Sequence, residues 1–159
     1  MENKNQPNNI VQQFKDASRQ YSDASIFLHE AIARKAGLTG SDHKYLGLII
    51  QHKELTAGDL SKLTGLTTGA VTGLIDRLEK KKLLKRQFTK NDRRKVIIVP
   101  NEENTLKLLQ PLFLELQQKT SDLLASFSAA EVQTIERYFI EASTIMKEVT
   151  ENLNNKSNT

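Results

Sequence analysis

The chain has no cysteine among its 159 residues. That absence excludes a disulfide framework, thiolate metal ligands, a cysteine nucleophile and cysteine redox switching together. Long apolar runs are missing too. None approaches the roughly 20 residues needed to cross a bilayer, and the opening MENKNQPNN lacks the apolar stretch of a signal peptide. The expectation is a cytoplasmic protein with no membrane partner. There is no Gly-rich phosphate loop, no G-x-S-x-G elbow and no H-E-x-x-H, and the three histidines, His29, His43 and His52, are scattered. These gaps point away from an enzyme and call for no cofactor. No internal repeat is present, and the Asn-rich ends, residues 1–8 and 154–159, read as frayed tails.

What the chain does have is an uneven charge. Hydrophobic residues make up 38% of it, low for an 18.0 kDa globule standing alone, so part of its apolar surface is expected to meet a partner. From Lys62 to Lys95 eleven Lys or Arg face three acids, a net of +8, which leaves −4 for the remainder of a chain whose total is +4. A basic segment inside an otherwise acidic molecule is the footprint of a polyanion partner. A solvated basic face is the plainer reading, and charge alone does not decide between them.

Ile10, Phe14, Ala17, Tyr21, Ala24, Leu28 and Ile32 recur at three- and four-residue steps, which predicts one long amphipathic helix over 9–36, ended by Gly37. A second helix follows with Ser41 or Asp42 as its cap and Leu46, Ile49 and Ile50 inward. Residues 102–126 also read as helix, with a bend expected at Pro111. Ser128 and Glu131 form an S-x-x-E capping box that predicts a helix start at Ser128. Beyond it Val132, Ile135, Phe139, Ala142, Met146, Val149 and Leu153 hold a strict heptad spacing, a seam that wants a second helix against it. Packing within the chain would satisfy it. Two long helices at opposite ends of a short chain favour a homodimer.

Between these helices, residues 56–76 read TAGDLSKLTGLTTGAVTGLID and have the layout of a helix-turn-helix. Leu60 and Leu63 are expected to pack the first short helix, Ser61 to sit where two helices cross, and Gly65 to take the positive-φ turn position. The second helix starts at Thr67 or Thr68 and buries Val71, Leu74, Ile75 and Leu78. Its other face carries Thr68, Gly69, Thr72, Gly73 and Asp76, small and polar enough to enter a major groove about 12 Å wide. Two glycines there cost on the order of 1 kcal/mol each in helix propensity, which suggests close backbone approach to a partner. The strand-like runs Leu83–Phe88 and Lys95–Val99 then flank a polar turn, and a hairpin directly after such a helix is a wing. Its tip carries Lys90, Arg93 and Arg94, able to reach phosphates or a narrow minor groove. Asp76, Arg77, Asp92 and Arg94 are alternatively placed to pair among themselves and brace the wing.

The segments TTGAVTGLI (67–75), DRLEKKKLLKR (76–86) and NDRRKVIIV (91–99) resemble the multiple antibiotic resistance regulator (MarR) family, specifically over residues 56–100. The resemblance implies a mainly α winged helix-turn-helix of order α-α-α-α-β-β-α-α. It implies dimerisation through 9–53 and 102–153 and a DNA-binding lobe at 54–100. Recognition helices would enter successive major grooves of a pseudo-palindromic operator in double-stranded DNA, with wings in the flanking minor grooves. Thr67, Thr68, Gly69, Thr72 and Gly73 would face the major groove and Arg93 and Arg94 form the wing tip. Lys62, Arg77, Lys90, Asn91 and Lys95 complete the expected DNA-binding set. Gly73 departs from the family's frequent Arg or Asn, so one source of base-specific hydrogen bonds is missing.

Family members lose DNA affinity when a small aromatic or anionic ligand binds where the dimer helices meet the DNA-binding lobe. Here that junction would draw on Tyr21, Ser25, His29, His43, Tyr45 and Ile49, with Tyr21, His29, His43 and Tyr45 the ligand-binding candidates. The implied function is a sequence-specific dimeric repressor released by such a ligand. The alternative is an effector-independent regulator or architectural protein whose pocket is filled by its own side chains. Asp42, His43 and His29 fall short of the three or four ligands a zinc site needs, so no metal is expected.

Overall fold

The apolar steps from Ile10 to Ile32 form helix α1 (Gln6–Lys35) in the computed structural model, which describes residues 6–88 and 96–156. α1 begins at Gln6, earlier than the expected residue 9. It gives way to a turn in which Gly37 takes φ 68, a left-handed value that glycine adopts without steric cost. In α2 (Gly40–His52) the cap is Thr39, whose hydroxyl accepts a hydrogen bond from the Asp42 amide at 3.0 Å. Ser41 and Asp42, the expected caps, lie inside the helix instead. The carboxylate of Asp42 is committed to a partner far along the chain, described below. Leu46 and Ile49 are buried as expected, with Ile50 half-buried against the same core.

Two short helices follow, α3 (Ala57–Thr64) and α4 (Thr68–Lys80), then strands β1 (Leu84–Phe88) and β2 (Val96–Pro100). The strands pair antiparallel from Leu84 opposite Pro100 to Phe88 opposite Val96. Leu55 adds an isolated bridge: its amide donates to the Ile98 carbonyl at 3.3 Å and its carbonyl accepts from the Ile98 amide at 2.7 Å. The hairpin base is thereby tied to the segment leading into α3. Helix α5 (Glu102–Ala125) runs on through Pro111 rather than stopping there. Helix α6 (Ala129–Lys156) opens with the expected capping box. The Ser128 amide and hydroxyl both donate to Glu131 Oε2, at 2.8 and 2.6 Å, and the Glu131 amide returns a bond to Ser128 Oγ at 3.4 Å. The Ser128 hydroxyl, and then its amide, hold the Glu131 carboxyl below the usual range.

The chain divides into two compact units, residues 1–62 with 66–112, and residues 63–65 with 113–159. The first holds the core, in which Ala33 of α1, Leu46 and Ile49 of α2, Leu60 of α3, Val71, Leu74, Ile75 and Leu78 of α4, and Ile98 of β2 interdigitate. Leu63 departs from expectation: it is 50% exposed, while Leu66 packs on the core in its place. The turn at Gly65 (φ 72) lies between them and turns the chain back inward. In the second unit no described side chain is buried. Of its heptad seam, Val132, Ile135 and Ala142 are half-buried, while Phe139, Met146, Val149 and Leu153 are exposed. Among the described residues no helix is long and apolar enough to cross a membrane.

The turn from α4 to β1 passes through Lys82, whose φ of 59 is left-handed without being glycine. That conformation costs a β-carbon-bearing residue about 1–2 kcal/mol. Lys82→Gly should therefore stabilise the fold by about 0.5–1 kcal/mol in urea unfolding, after allowing for the freer unfolded chain. A loss of stability would mean that the Lys82 side chain contributes more than its backbone strain costs.

Candidate nucleic-acid interface

The approach to α4 is fixed by local hydrogen bonds. Thr56 and Asp59 form a second capping box, at α3: the Thr56 amide and hydroxyl donate to Asp59 Oδ2 at 2.9 and 2.6 Å, and the Asp59 amide donates to Thr56 Oγ1 at 3.1 Å. The T-x-x-D spacing in TAGD was the available signal for it. Ser61 Oγ then donates to the Leu66 carbonyl at 2.7 Å, tying α3 to the entry of α4. Of the two expected start positions, Thr67 is the cap, its hydroxyl accepting from the Ala70 amide at 3.3 Å, and Thr68 is the first helical residue.

All four apolar residues expected inward on α4, Val71, Leu74, Ile75 and Leu78, are buried. Thr67, Thr68, Gly69, Thr72 and Asp76 are exposed and Gly73 is half-buried. Thr72 donates its hydroxyl proton to the Thr68 carbonyl at 2.9 Å, so it meets a partner chiefly with its methyl group and oxygen lone pairs. At Gly69 a β-carbon would meet nothing within 4 Å, whereas at Gly73 it would stand 3.3 Å from one terminal nitrogen of Arg77. Lys62 is exposed on the last turn of α3.

Two arginines organise the charge around this helix. Arg77 grips Asp42 of α2 with Nε to Oδ2 at 3.0 Å and a terminal nitrogen to Oδ1 at 2.7 Å. Asp42 is 2% exposed, while the Arg77 side chain is 53% exposed. The bond to Asp42 holds the guanidinium above its ordinary pKa. Arg86 of β1 bonds Asp76 at 2.5 Å and also Glu79, and its amide donates to Glu79 Oε1 at 2.8 Å. Its pKa is likewise raised, first by Asp76. Among the described residues Asp76 pairs with Arg86 and Arg77 with Asp42; the expected pairing of Asp76 and Arg77 with Asp92 and Arg94 falls on residues outside the described ones. Sequence reading missed these pairs because each joins two different elements: Asp42 and Arg77 stand 35 residues apart, and Arg86 reaches back from β1 to the preceding α4. Lys90, Asn91, Arg93, Arg94 and Lys95, and with them Asp92 and the wing tip, lie outside the described residues.

Of the ligand-binding candidates, the structure brings together His29 and His43, with ring centroids 5.4 Å apart and planes tilted by 37°. His29 is exposed and His43 buried. Tyr21, 65% exposed, stands about 12 Å back along α1. Tyr45 follows His43 by two positions, about 200° around α2, and is half-buried beside Lys44 Nζ, 5.7 Å from its ring centre. Ser25 is half-buried and Ile49 belongs to the core. Among the described residues no group of three or more His, Cys, Asp or Glu is arranged to hold a metal ion.

Burial, and then the neighbouring His29, push the His43 pKa below its usual 6.5. The folded state thus resists protonation that the unfolded chain accepts. This contribution to stability is complete above pH 6.5 and is lost as pH falls toward and through the lowered folded pKa. The urea midpoint should consequently fall from pH 8 to pH 5.5, and His43→Gln should flatten that fall. An equally steep pH profile in the variant would place the proton uptake elsewhere.

Comparison with known proteins agrees with this geometry. A model described as MarR family matches residues 36–95. An uncharacterized HTH-type transcriptional regulator of Bacillus subtilis (strain 168), YcgE, is 37% identical over 135 residues, covering 85% of this chain and 87% of the relative. A MarR family protein from Bacillus stearothermophilus superposes with a TM-score of 0.67 at 23% identity, over 88% of this chain and 97% of that one. A mutant of MarR from E. coli, complexed with operator DNA, gives a TM-score of 0.55 at 21% identity, over 84% and 96%. The chain belongs to the MarR family of winged helix-turn-helix transcriptional regulators, DNA-binding proteins rather than enzymes.

Proposed function

We propose that the protein is a homodimeric repressor that reads a pseudo-palindromic operator in double-stranded DNA, acts in the cytoplasm and is released by a small aromatic or anionic ligand. The carrying observation is α4, whose one face is wholly given to the core while the other presents threonines and glycines beside a basic segment. Thr67, Thr68, Gly69, Thr72 and Gly73 would meet the major groove. Arg77 would flank that face on the same helix, and Lys62, Lys90, Asn91, Arg93, Arg94 and Lys95 would supply phosphate and minor-groove contacts. A MarR mutant of similar fold, complexed with operator DNA, supports operator DNA as the partner. Residues 54–100 form the DNA-binding lobe in this reading, and 9–53 with 102–153 the dimerisation region. Apolar side chains left exposed on α1 and α6, among them Ile10, Phe27, Met146 and Leu153, support a second copy as their cover. The adjacent His29 and His43 mark where the ligand would bind, while Tyr21, about 12 Å back along α1, and Tyr45, on another face of α2, stand apart from that pair.

Selection from random duplexes at physiological salt, with and without millimolar aromatic acids, tests the whole reading. The expected result is a pseudo-palindrome with half-sites about one helical turn apart, lost on adding an effective acid. Selection without any enriched site would leave only non-specific binding. Replacing Arg93 and Arg94 by Ala should reduce the slope of log affinity against log salt by about 0.9 for each phosphate contact removed. An unchanged slope would take the wing out of the interface. Phe139→Lys together with Met146→Lys should convert the dimer to monomer in sedimentation, because charges on an apolar seam oppose its burial. Retention of dimer mass would assign the interface to other surfaces.

A further inference from the structure

We infer that Arg77, braced by Asp42 across the space left open at Gly73, is the side chain with which α4 discriminates among bases. The inference rests on the DNA-binding reading above and deepens it. An exposed arginine on a groove-facing helix ordinarily loses rotamer freedom on binding. This one is already held. Asp42, buried on α2, takes Nε and one proton of a terminal nitrogen, the side edge of the guanidinium. Of the five N–H donors of an arginine three remain, and two of them, one from each terminal nitrogen, lie side by side on its end edge, a fork suited to two acceptors in one plane.

The position of that fork follows from the helix. Side chains lean toward the N-terminus, so Arg77 lies over the turn that carries Gly73. The other terminal nitrogen, Nη1, which Asp42 does not bind, sits 3.3 Å from where a β-carbon of residue 73 would be. Arg77 thereby stands beside residue 73, and a β-carbon there would make Nη1 give way by a few tenths of an ångström. Other groups on the face offer less. Thr72 has donated its proton to the Thr68 carbonyl, the Thr67 hydroxyl caps the helix, and Asp76 is held by Arg86. A planar two-donor fork at a major-groove face matches the O6 and N7 acceptors of guanine, and a fixed one discriminates more sharply than a mobile one.

The test compares base preference position by position, by selection and by titration of the selected duplex and a scrambled one. Arg77→Lys keeps the charge and loses the fork. It should lower discrimination at one symmetry-related G·C pair per half-site on the order of 10-fold, with affinity for scrambled duplex nearly unchanged. Asp42→Asn should weaken the same position by freeing the guanidinium. Gly73→Ala, which favours the helix, should displace the terminal nitrogen and lose part of the same preference without loss of thermal stability. If the wild type selects a site and Arg77→Lys selects it with an unchanged profile, Arg77 only braces α4 and the inference is overturned. Should Arg77→Lys fail to fold, Gly73→Ala decides, and an unchanged profile there overturns it as well. A wild type that selects no site would sink the DNA-binding reading and this inference together.

Discussion

A helix that enters a DNA groove must be held from behind by one face only, and the rest of this fold follows from how α4 meets that constraint. Val71, Leu74, Ile75 and Leu78 give it a continuous buried stripe against α2, α3 and the hairpin base. Each side chain so buried contributes roughly 1.5–3 kcal/mol, enough to hold a helix whose outer face contains two glycines. The weak propensity of TTGAVTGLI is tolerable because tertiary packing, not the isolated segment, stabilises it. The outer face is thereby released to be small. Capping at Thr67 and the Ser61 to Leu66 bond set where the helix begins, so its entry angle does not depend on the side chains that face outward.

The elements most readable from sequence were those whose signals are local. Ser128 and Glu131 announced the start of α6 because a capping box is closed within four residues, and Gly65 announced its turn because only its own φ was at issue. The buried stripe of α4 was legible for the same reason, as one helical period states its inward face. The second helix was misread at its cap. Asp42 has good cap chemistry, but its carboxylate is bound by Arg77, 35 residues onward, and the cap passed to Thr39. Leu63 was misassigned because its spacing from Leu60 suits an inward face, while an eight-residue helix leaves room for little more than one anchoring leucine. Ion pairs between elements have no helical spacing to read, which is why Asp42–Arg77, 35 residues apart, and the pairs that Arg86 makes across the turn from β1 to α4 emerged only from the fold.

The two histidines show a middle case. Both lie on helices whose inward faces could be predicted, yet their approach to 5.4 Å depends on how α1 crosses α2. That crossing places a buried, proton-resisting imidazole one residue from the carboxylate that grips the recognition helix. In the proposed regulator, a ligand between α1 and α2 would therefore act close to the anchor of Arg77.

Charge balance completes the argument. The basic segment contains three acids, and two of them, Asp76 and Glu79, stand on α4 itself. Left unpaired, both would repel a phosphate backbone approaching along that helix. Arg86 takes both, and since it belongs to β1, the pairing that neutralises the acids also fixes the hairpin against α4. Arg77 is neutralised in the opposite sense by Asp42, so its value at the interface lies in direction more than in net charge. In the proposed interface the remaining lysines of the segment would carry the long-range attraction, which salt screens, and the two carboxylate-bound arginines would set the geometry the polyanion meets.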